Sequence, residues 1–175
     1  MPVTFATMAL GTLAIAGVPP FSGFFSKDEI LWGAFAGPHA QPVLGVVGLV
    51  VAFLTAFYTA RLLCLTFFGE CRASHDVQHH MHESPRVMTL PLMVLAVLAC
   101  GGGFLPVPAV VGELLGHAHE AETPVAFMAL ATGLACGGLG LGYLLYVRRP
   151  ALPAEIAARL GGLYPLVRDK FRVDE

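Results

Sequence analysis

Four stretches of this 175-residue chain are each long enough and apolar enough to cross a lipid bilayer as a helix, and that pattern restricts the fold more than anything else in the sequence. They run from about Val3 to Phe25, from Val43 to Phe68, from Val87 to about Leu105, and from Pro124 to Val147. A crossing needs about 20 predominantly apolar residues. Only the second run contains a charged side chain, Arg61. The expected fold class is an all-α integral membrane protein with four transmembrane helices.

Composition agrees. Hydrophobic residues make up 56% and charged ones only 13%, with a mean hydropathy of +0.72, where a soluble domain carries about 25% charge. Six of the ten Lys and Arg residues follow Tyr146, so the preceding residues hold only Lys27, Arg61, Arg72 and Arg86. This excludes a disordered chain, a nucleic-acid-binding protein and an ordinary soluble enzyme. The net charge of −2 is too small to point to any partner. Residues 1–26 are uncharged, have no basic leader and contain Pro19-Pro20, so no signal peptide is read and the chain is expected to be a piece of something longer. Cys64, Cys71, Cys100 and Cys136 form no CxxC and no metal-ligand spacing. Cys64, Cys100 and Cys136 lie inside apolar runs and read as small buried residues.

Two regions are expected: a transmembrane part over 1–147 and, over 148–175, the start of an amphipathic helix along a surface. In the fourth run Gly133, Ala135, Gly137, Gly138, Gly140 and Gly142 offer a small-residue face for close helix packing. After Arg148-Arg149-Pro150 the apolar positions Leu152, Ile156, Leu160, Leu163, Leu166 and Val167 repeat with a helical period. The connection over 69–86 carries Arg72 and Arg86, whereas that over 106–123 has Glu113, Glu120 and Glu122 and no Lys or Arg. By the positive-inside rule the former and the tail are cytoplasmic.

The first run carries the chemistry. Pro19 and Pro20 donate no hydrogen bond and clash with the preceding turn, and Gly17 and Gly23 flank them. A helix broken there frees backbone carbonyls at membrane depth, a construction used at ion sites in transporters. If a second half-helix runs from about Ser22 to Ala36, Lys27 sits roughly 15 Å inside its far end. An ammonium at that depth costs a few kcal/mol and needs partners. A lysine that gives up and regains its proton there suits a proton relay. The plainer alternative ends the helix at Phe25 and leaves Lys27, Asp28 and Glu29 as a charged loop. In the second run Thr55, Tyr58, Thr59 and Arg61 form a polar ladder. By helical rise Thr55 falls roughly 18 Å in, level with Lys27, and Arg61 about 27 Å in. Alternatively Arg61 simply snorkels to the interface. His75, His79, His80 and His82 cluster in the second connection, where solvated loop and metal site are both open and the former is favoured; no metal is assigned.

Gly17-Val18-Pro19-Pro20-Phe21-Ser22-Gly23-Phe24-Phe25-Ser26-Lys27-Asp28-Glu29-Ile30-Leu31 closely resembles the broken-helix motif of the antiporter-like subunits of respiratory complex I, and best the L-type subunit (chain 5 in mitochondria). Tyr58-Thr59-Ala60-Arg61 with Phe67-Phe68-Gly69 resembles the next transmembrane helix. His82-Glu83-Ser84-Pro85 with Met88, Pro91 and Leu92 resembles the loop and helix after it. Asp169-Lys170-Phe171 with Val173-Asp174-Glu175 resembles the stretch leading into the subunit's lateral helix. The N-terminal half of such a subunit and its final anchor have no counterpart here, so the resemblance is to a C-terminal portion.

The resemblance implies a proton-translocating membrane subunit of an NADH:quinone oxidoreductase. In that family electrons pass from NADH to quinone elsewhere, so NADH, flavin, Fe–S clusters and quinone are expected on other subunits and no cofactor on this chain. Lys27 would be the terminal relay that releases a proton outward, Asp28 would tune it or pass the proton on, and Arg61 matches in position. The implied partners are other membrane subunits and the bilayer, with no nucleic acid. The implied location is the bacterial inner membrane. The alternatives are a related cation/proton antiporter or membrane-bound hydrogenase subunit, and a non-pumping scaffold.

Overall fold

The structure, a computed structural model, describes residues 1–37, 40–71, 73–105, 123–169 and 171, and among these every regular element is helical. Helix α1 (Pro2–Ala16) is followed by α2 (Ser22–Ala36), α3 (Pro42–Phe67) and the short α4 (His75–His79). Then come α5 (Arg86–Gly101), which tightens into a 3-10 turn at Gly102–Phe104, and α6 (Val125–Tyr143), which widens into a π-helical turn at Leu144–Arg148. The short helices α7 (Leu152–Arg159) and α8 (Leu163–Arg168) complete the series.

Among the described residues, three helices are long and apolar enough to cross a membrane: Pro42–Phe67, Arg86–Phe104 and Val125–Arg148, of 26, 19 and 24 residues. The first apolar run divides at the expected Pro19-Pro20 break into α1 and the start of α2, and α1 is a shorter apolar helix of 15 residues.

The packing rests on small residues. Ala52, Ala56, Ala60 and Cys64 recur every fourth position on α3 and are buried. They face Ala131, Ala135, Gly138 and Gly142 on α6, which are buried too. A β-carbon on Gly138 would stand 2.6 Å from the Phe53 carbonyl oxygen and 2.9 Å from Ala56 Cβ, and one on Gly142 2.6 Å from Ala60 Cβ. Where two backbones approach so closely, van der Waals contact holds the pair. The expected small-residue face is thus narrower than the sequence suggests: Gly133 and Gly140 meet nothing within 4 Å.

Helix α1 lies between α3 and α5, and α2 lies along α3. The start of α1 shares one end of the group with the end of α3, since the Phe5 ring packs edge-on to Phe67 and Phe68 with centroids 5.2 and 5.8 Å apart. The end of α2 and the start of α6 share the other, through Trp32 and Phe127 at 5.2 Å. Large apolar side chains face outward on every long helix, among them Val87 at 85% and Val97 at 70% exposed. This is a surface suited to lipid or to further apolar helices rather than to water.

Two expectations change. The periodic tail is not one helix from Leu152 onward. It stops at Arg159 and restarts at Leu163, because Gly161 turns left-handed (φ 53) and Gly162 follows. Of the three cysteines in apolar runs only Cys64 is buried, Cys100 being half-buried and Cys136 exposed, since α5 and α6 turn those faces outward. Arg72, the 106–122 segment with Glu113, Glu120 and Glu122, and the tail residues Lys170 and 172–175 lie outside the described residues.

Candidate functional site: a lysine at a broken helix

Helix α1 stops where its sequence says it must. Gly17 takes the left-handed conformation (φ 77, ψ 40). The Gly17 N–H then donates to the Ala14 carbonyl at 3.1 Å and the Val18 N–H to the Leu13 carbonyl at 3.2 Å. This is the paired bond pattern that closes a helix through a glycine. Pro19 and Pro20, joined by a cis peptide bond and both exposed, carry the chain across. The Phe21 N–H donates to the Val18 carbonyl at 3.0 Å, and α2 begins at the next residue. Gly23 lies in the first turn of α2 directly against the Ala14 carbonyl, and a β-carbon there would collide with it.

The capping pattern leaves the last carbonyls of α1 over, and one of them meets Lys27. The Nζ of Lys27 donates to the carbonyl oxygen of Ala16. Its side chain folds over Gly17, where a β-carbon would overlap its Nζ and Cε. A cation there also sits at the negative end of the α1 dipole. Lys27, Asp28 and Glu29 are therefore inside a helix that continues to Ala36, not in a loop. Helix α2 runs antiparallel to α3. Phe35 packs at Gly45, and Leu31 Cδ2 lies 2.6 Å from where a β-carbon on Gly48 would be. The same alignment carries Asp28 to the level of Ala52, ten positions into the 26-residue α3.

Asp28 shares the buried face of α2 with Phe24 and Leu31 and is 3% exposed. Neither of its carboxylate oxygens has a hydrogen-bond partner among the described residues. Consecutive helix positions point about 100° apart. Lys27 and Asp28 therefore attract one another without forming an ion pair among the described residues, and Lys27 turns instead toward Ala16 and Gly17 at the end of α1. A carboxylate without a donor beside an ammonium lent to a helix-end carbonyl can take up a proton and hand one on.

The polar ladder of α3 is not joined to this pair. The Thr59 hydroxyl donates to the Thr55 and Ala56 carbonyls at 2.8 and 3.1 Å, and the Thr55 hydroxyl to Val51 at 2.7 Å. Both satisfy their own helix. Tyr58 is exposed, and the Arg61 guanidinium lies over the Tyr146 ring at 5.5 Å. In the loop, the rings of His75 and His79 lie 5.0 Å apart, His80 Nδ1 meets the Asp76 carbonyl at 2.7 Å and His82 Nδ1 the Glu83 carbonyl at 2.9 Å. Among the described residues no group of three or more His, Cys, Asp or Glu is placed to hold a metal.

Glu83, which the sequence marks only as part of the His82-Glu83-Ser84-Pro85 match, takes a place that no expectation assigned to it. Met1 offers α1 no side-chain cap, and Glu83 supplies one from far along the chain. It accepts from the Val3 N–H at 2.8 Å, the Thr4 hydroxyl at 2.5 Å and the Ser84 N–H at 3.3 Å. The Thr4 hydroxyl above all, and the N–H groups of Val3 and Ser84, hold the Glu83 carboxyl below the usual carboxylate range.

Residues 1–55, which contain the break, Lys27 and half of α3, match the family model "NADH:quinone oxidoreductase/Mrp antiporter, TM". The chain is 41% identical over 181 residues to NADH-quinone oxidoreductase subunit L of Mycobacterium tuberculosis, covering 96% of this chain and 28% of that one. It is 37% identical over 205 residues to NAD(P)H-quinone oxidoreductase chain 5 of a Picosynechococcus species, covering 100% of this chain and 30% of that one. The chain is a relative of the L-type subunits. The chain 5 protein of a Synechocystis species adds a match of 33% identity, covering 100% of this chain and 32% of that protein. The chain therefore spans roughly a third of the length of the L-type relatives it matches. Its apolar helices agree with the membrane location of an antiporter-like L-type subunit.

Proposed function

We propose that this chain forms the proton-releasing segment of an L-type subunit in a proton-pumping NADH:quinone oxidoreductase, and that Lys27 is its relay group. The observation that carries this reading is the Lys27 ammonium on the Ala16 carbonyl, at the open end of a half-helix. That site holds a proton by one helix-end carbonyl and by the attraction of Asp28, and both act on the charged amine. Asp28 is the neighbouring carboxylate to which the proton passes or by which Lys27 is tuned. Thr55, Tyr58, Thr59 and Arg61 line the route only if water bridges them to the lysine.

In this reading α1 and α2 together make one crossing beside α3, α5 and α6, so that 1–147 is transmembrane. The region over 148–175 begins the lateral helix on the cytoplasmic side of a bacterial inner membrane. NADH, flavin, Fe–S clusters and quinone belong to partner subunits, and this chain contributes no redox step. The family description also names Mrp antiporters, which supports a second reading in which the same lysine serves cation/proton exchange.

The test uses the complete subunit in its assembled complex, reconstituted in vesicles. Lys27→Ala and Lys27→Arg should both assemble, oxidise NADH and lose most of the proton translocation. Arginine keeps the cation on Ala16 but does not release its proton. Normal translocation by Lys27→Arg removes the relay assignment, and a translocation that requires sodium favours the exchange reading.

A further inference from the structure

Helix α1 joins two charged groups that lie far apart in the sequence. At its start the Glu83 carboxylate gathers the Val3 N–H, the Thr4 hydroxyl and the Ser84 N–H. At its end the Ala16 carbonyl receives Lys27. Fifteen residues separate the two ends, a rigid rod of about 22 Å. A shift of this rod along its axis carries the Ala16 carbonyl with it.

Open grooves border the rod on the side of α5. Between α1 and α5 runs a groove of about 570 Å³, from Thr4 past Thr7, Gly11 and Ala14 to Ser22 and Gly23 in the first turn of α2. A second groove of about 780 Å³ follows Ala6 and Leu10 of α1 against Met93, Val97 and Cys100 of α5. Among the described residues, the polar fastenings of α1 to the rest of the chain are at its ends. Of these, Glu83 comes from the loop that joins α3 to α5.

We propose that Glu83 is a positioning residue for Lys27: it latches the start of α1 to the α4–α5 loop, and so sets the axial register in which the Ala16 carbonyl holds the lysine. The latch is electrostatic as well as hydrogen-bonded, because a carboxylate at a helix start complements the dipole whose other end faces the ammonium. This proposal rests on the relay reading of Lys27.

The experiment measures NADH oxidation and the initial rate of proton translocation by the assembled complex, with Glu83→Ala, Glu83→Gln and Thr4→Val in the complete subunit. Glu83→Ala should lower translocation several-fold per NADH oxidised. Glu83→Gln, whose amide oxygen still accepts from Val3, should recover part of it, and Thr4→Val should fall between Glu83→Gln and wild type. A role confined to folding would lower the amount of complex, leave translocation per NADH unchanged and show no graded recovery. Unchanged translocation in Glu83→Ala, or in Thr4→Val and Glu83→Gln if the alanine variant does not assemble, overturns the latch when Lys27→Ala is defective. If Lys27→Ala translocates normally as well, the relay reading falls and the latch with it.

Discussion

The Cε of Lys27 lies 2.5 Å from the place a β-carbon on Gly17 would take. The residue that ends α1 and the residue that binds its last carbonyl therefore share one volume. Gly17→Ala places a methyl group there and also forces an L-residue into the left-handed conformation, which costs about 1–2 kcal/mol. The variant should assemble with a lower melting temperature and translocate protons poorly, because Lys27 is pushed off Ala16. Thermal unfolding and vesicle acidification check the two effects separately, and wild-type values in both contradict the contact.

Proton translocation should distinguish two replacements at Asp28. Asp28→Asn keeps the volume but removes the charge that attracts Lys27, and should slow transfer while assembly is normal. Asp28→Leu adds an apolar side chain to a face shared with Phe24 and Leu31. It removes a buried carboxylate that has no hydrogen-bond partner among the described residues, and should leave the complex at least as stable as wild type. Yield and melting temperature of the assembled complex measure this, and a fall of several degrees in Asp28→Leu contradicts the burial described.

The seam between α3 and α6 should be intolerant of size. Gly138→Val and Gly142→Val each drive a branched side chain into backbone or Cβ atoms within 2.6 Å of the β-carbon position. Each is expected to destabilise by about 1–3 kcal/mol. Gly133→Ala and Gly140→Ala, where the surroundings are open, should be neutral or slightly stabilising. Melting of the four variants in one detergent or lipid decides the matter.

The Glu83 latch predicts a pH dependence whose sign follows from its hydrogen bonds. The folded carboxyl holds its proton less tightly than the ordinary value of 4.5 implies. The latch therefore contributes stability above about pH 4.5 and loses it as the pH falls through the lower, folded value. Amide exchange at Val3 and its neighbours should stay slow at neutral pH and quicken in acid, once intrinsic rates are divided out. Glu83→Gln, with no proton to gain, should show no such change over the same range. Equal acid sensitivity in both contradicts the latch.

Much of this architecture is legible in residue order. Apolar length marks α3, α5 and α6 nearly to the residue, and Gly17 with Pro19-Pro20 marks the break. The continuation of apolar residues past Glu29 marks α2. Rise per residue gives depth, which is why Lys27 falls near the middle of α3 on paper and in the fold. Rise says nothing of which way a side chain faces, so Thr55 lies near the lysine's level yet, like Thr59, bonds its own helix, and Arg61 finds Tyr146. Glu83 escaped notice for another reason: its partners are a backbone amide and a hydroxyl about 80 positions away, and no local pattern records such a pairing. Gly161 is legible as a breaker, but the period of the leucines around it is continuous and conceals the interruption.

The interlocked alanines and glycines of α3 and α6 have a mechanical meaning. A contact made by leucines can re-form after a slip of one turn, as rotamers adjust. A contact made by backbones has no such freedom, since any slide drives a carbonyl into a β-carbon. These two helices therefore behave as a fixed frame. The broken pair α1 and α2 has no such seam of its own: it leans on that frame from one side and is bordered by grooves on the other.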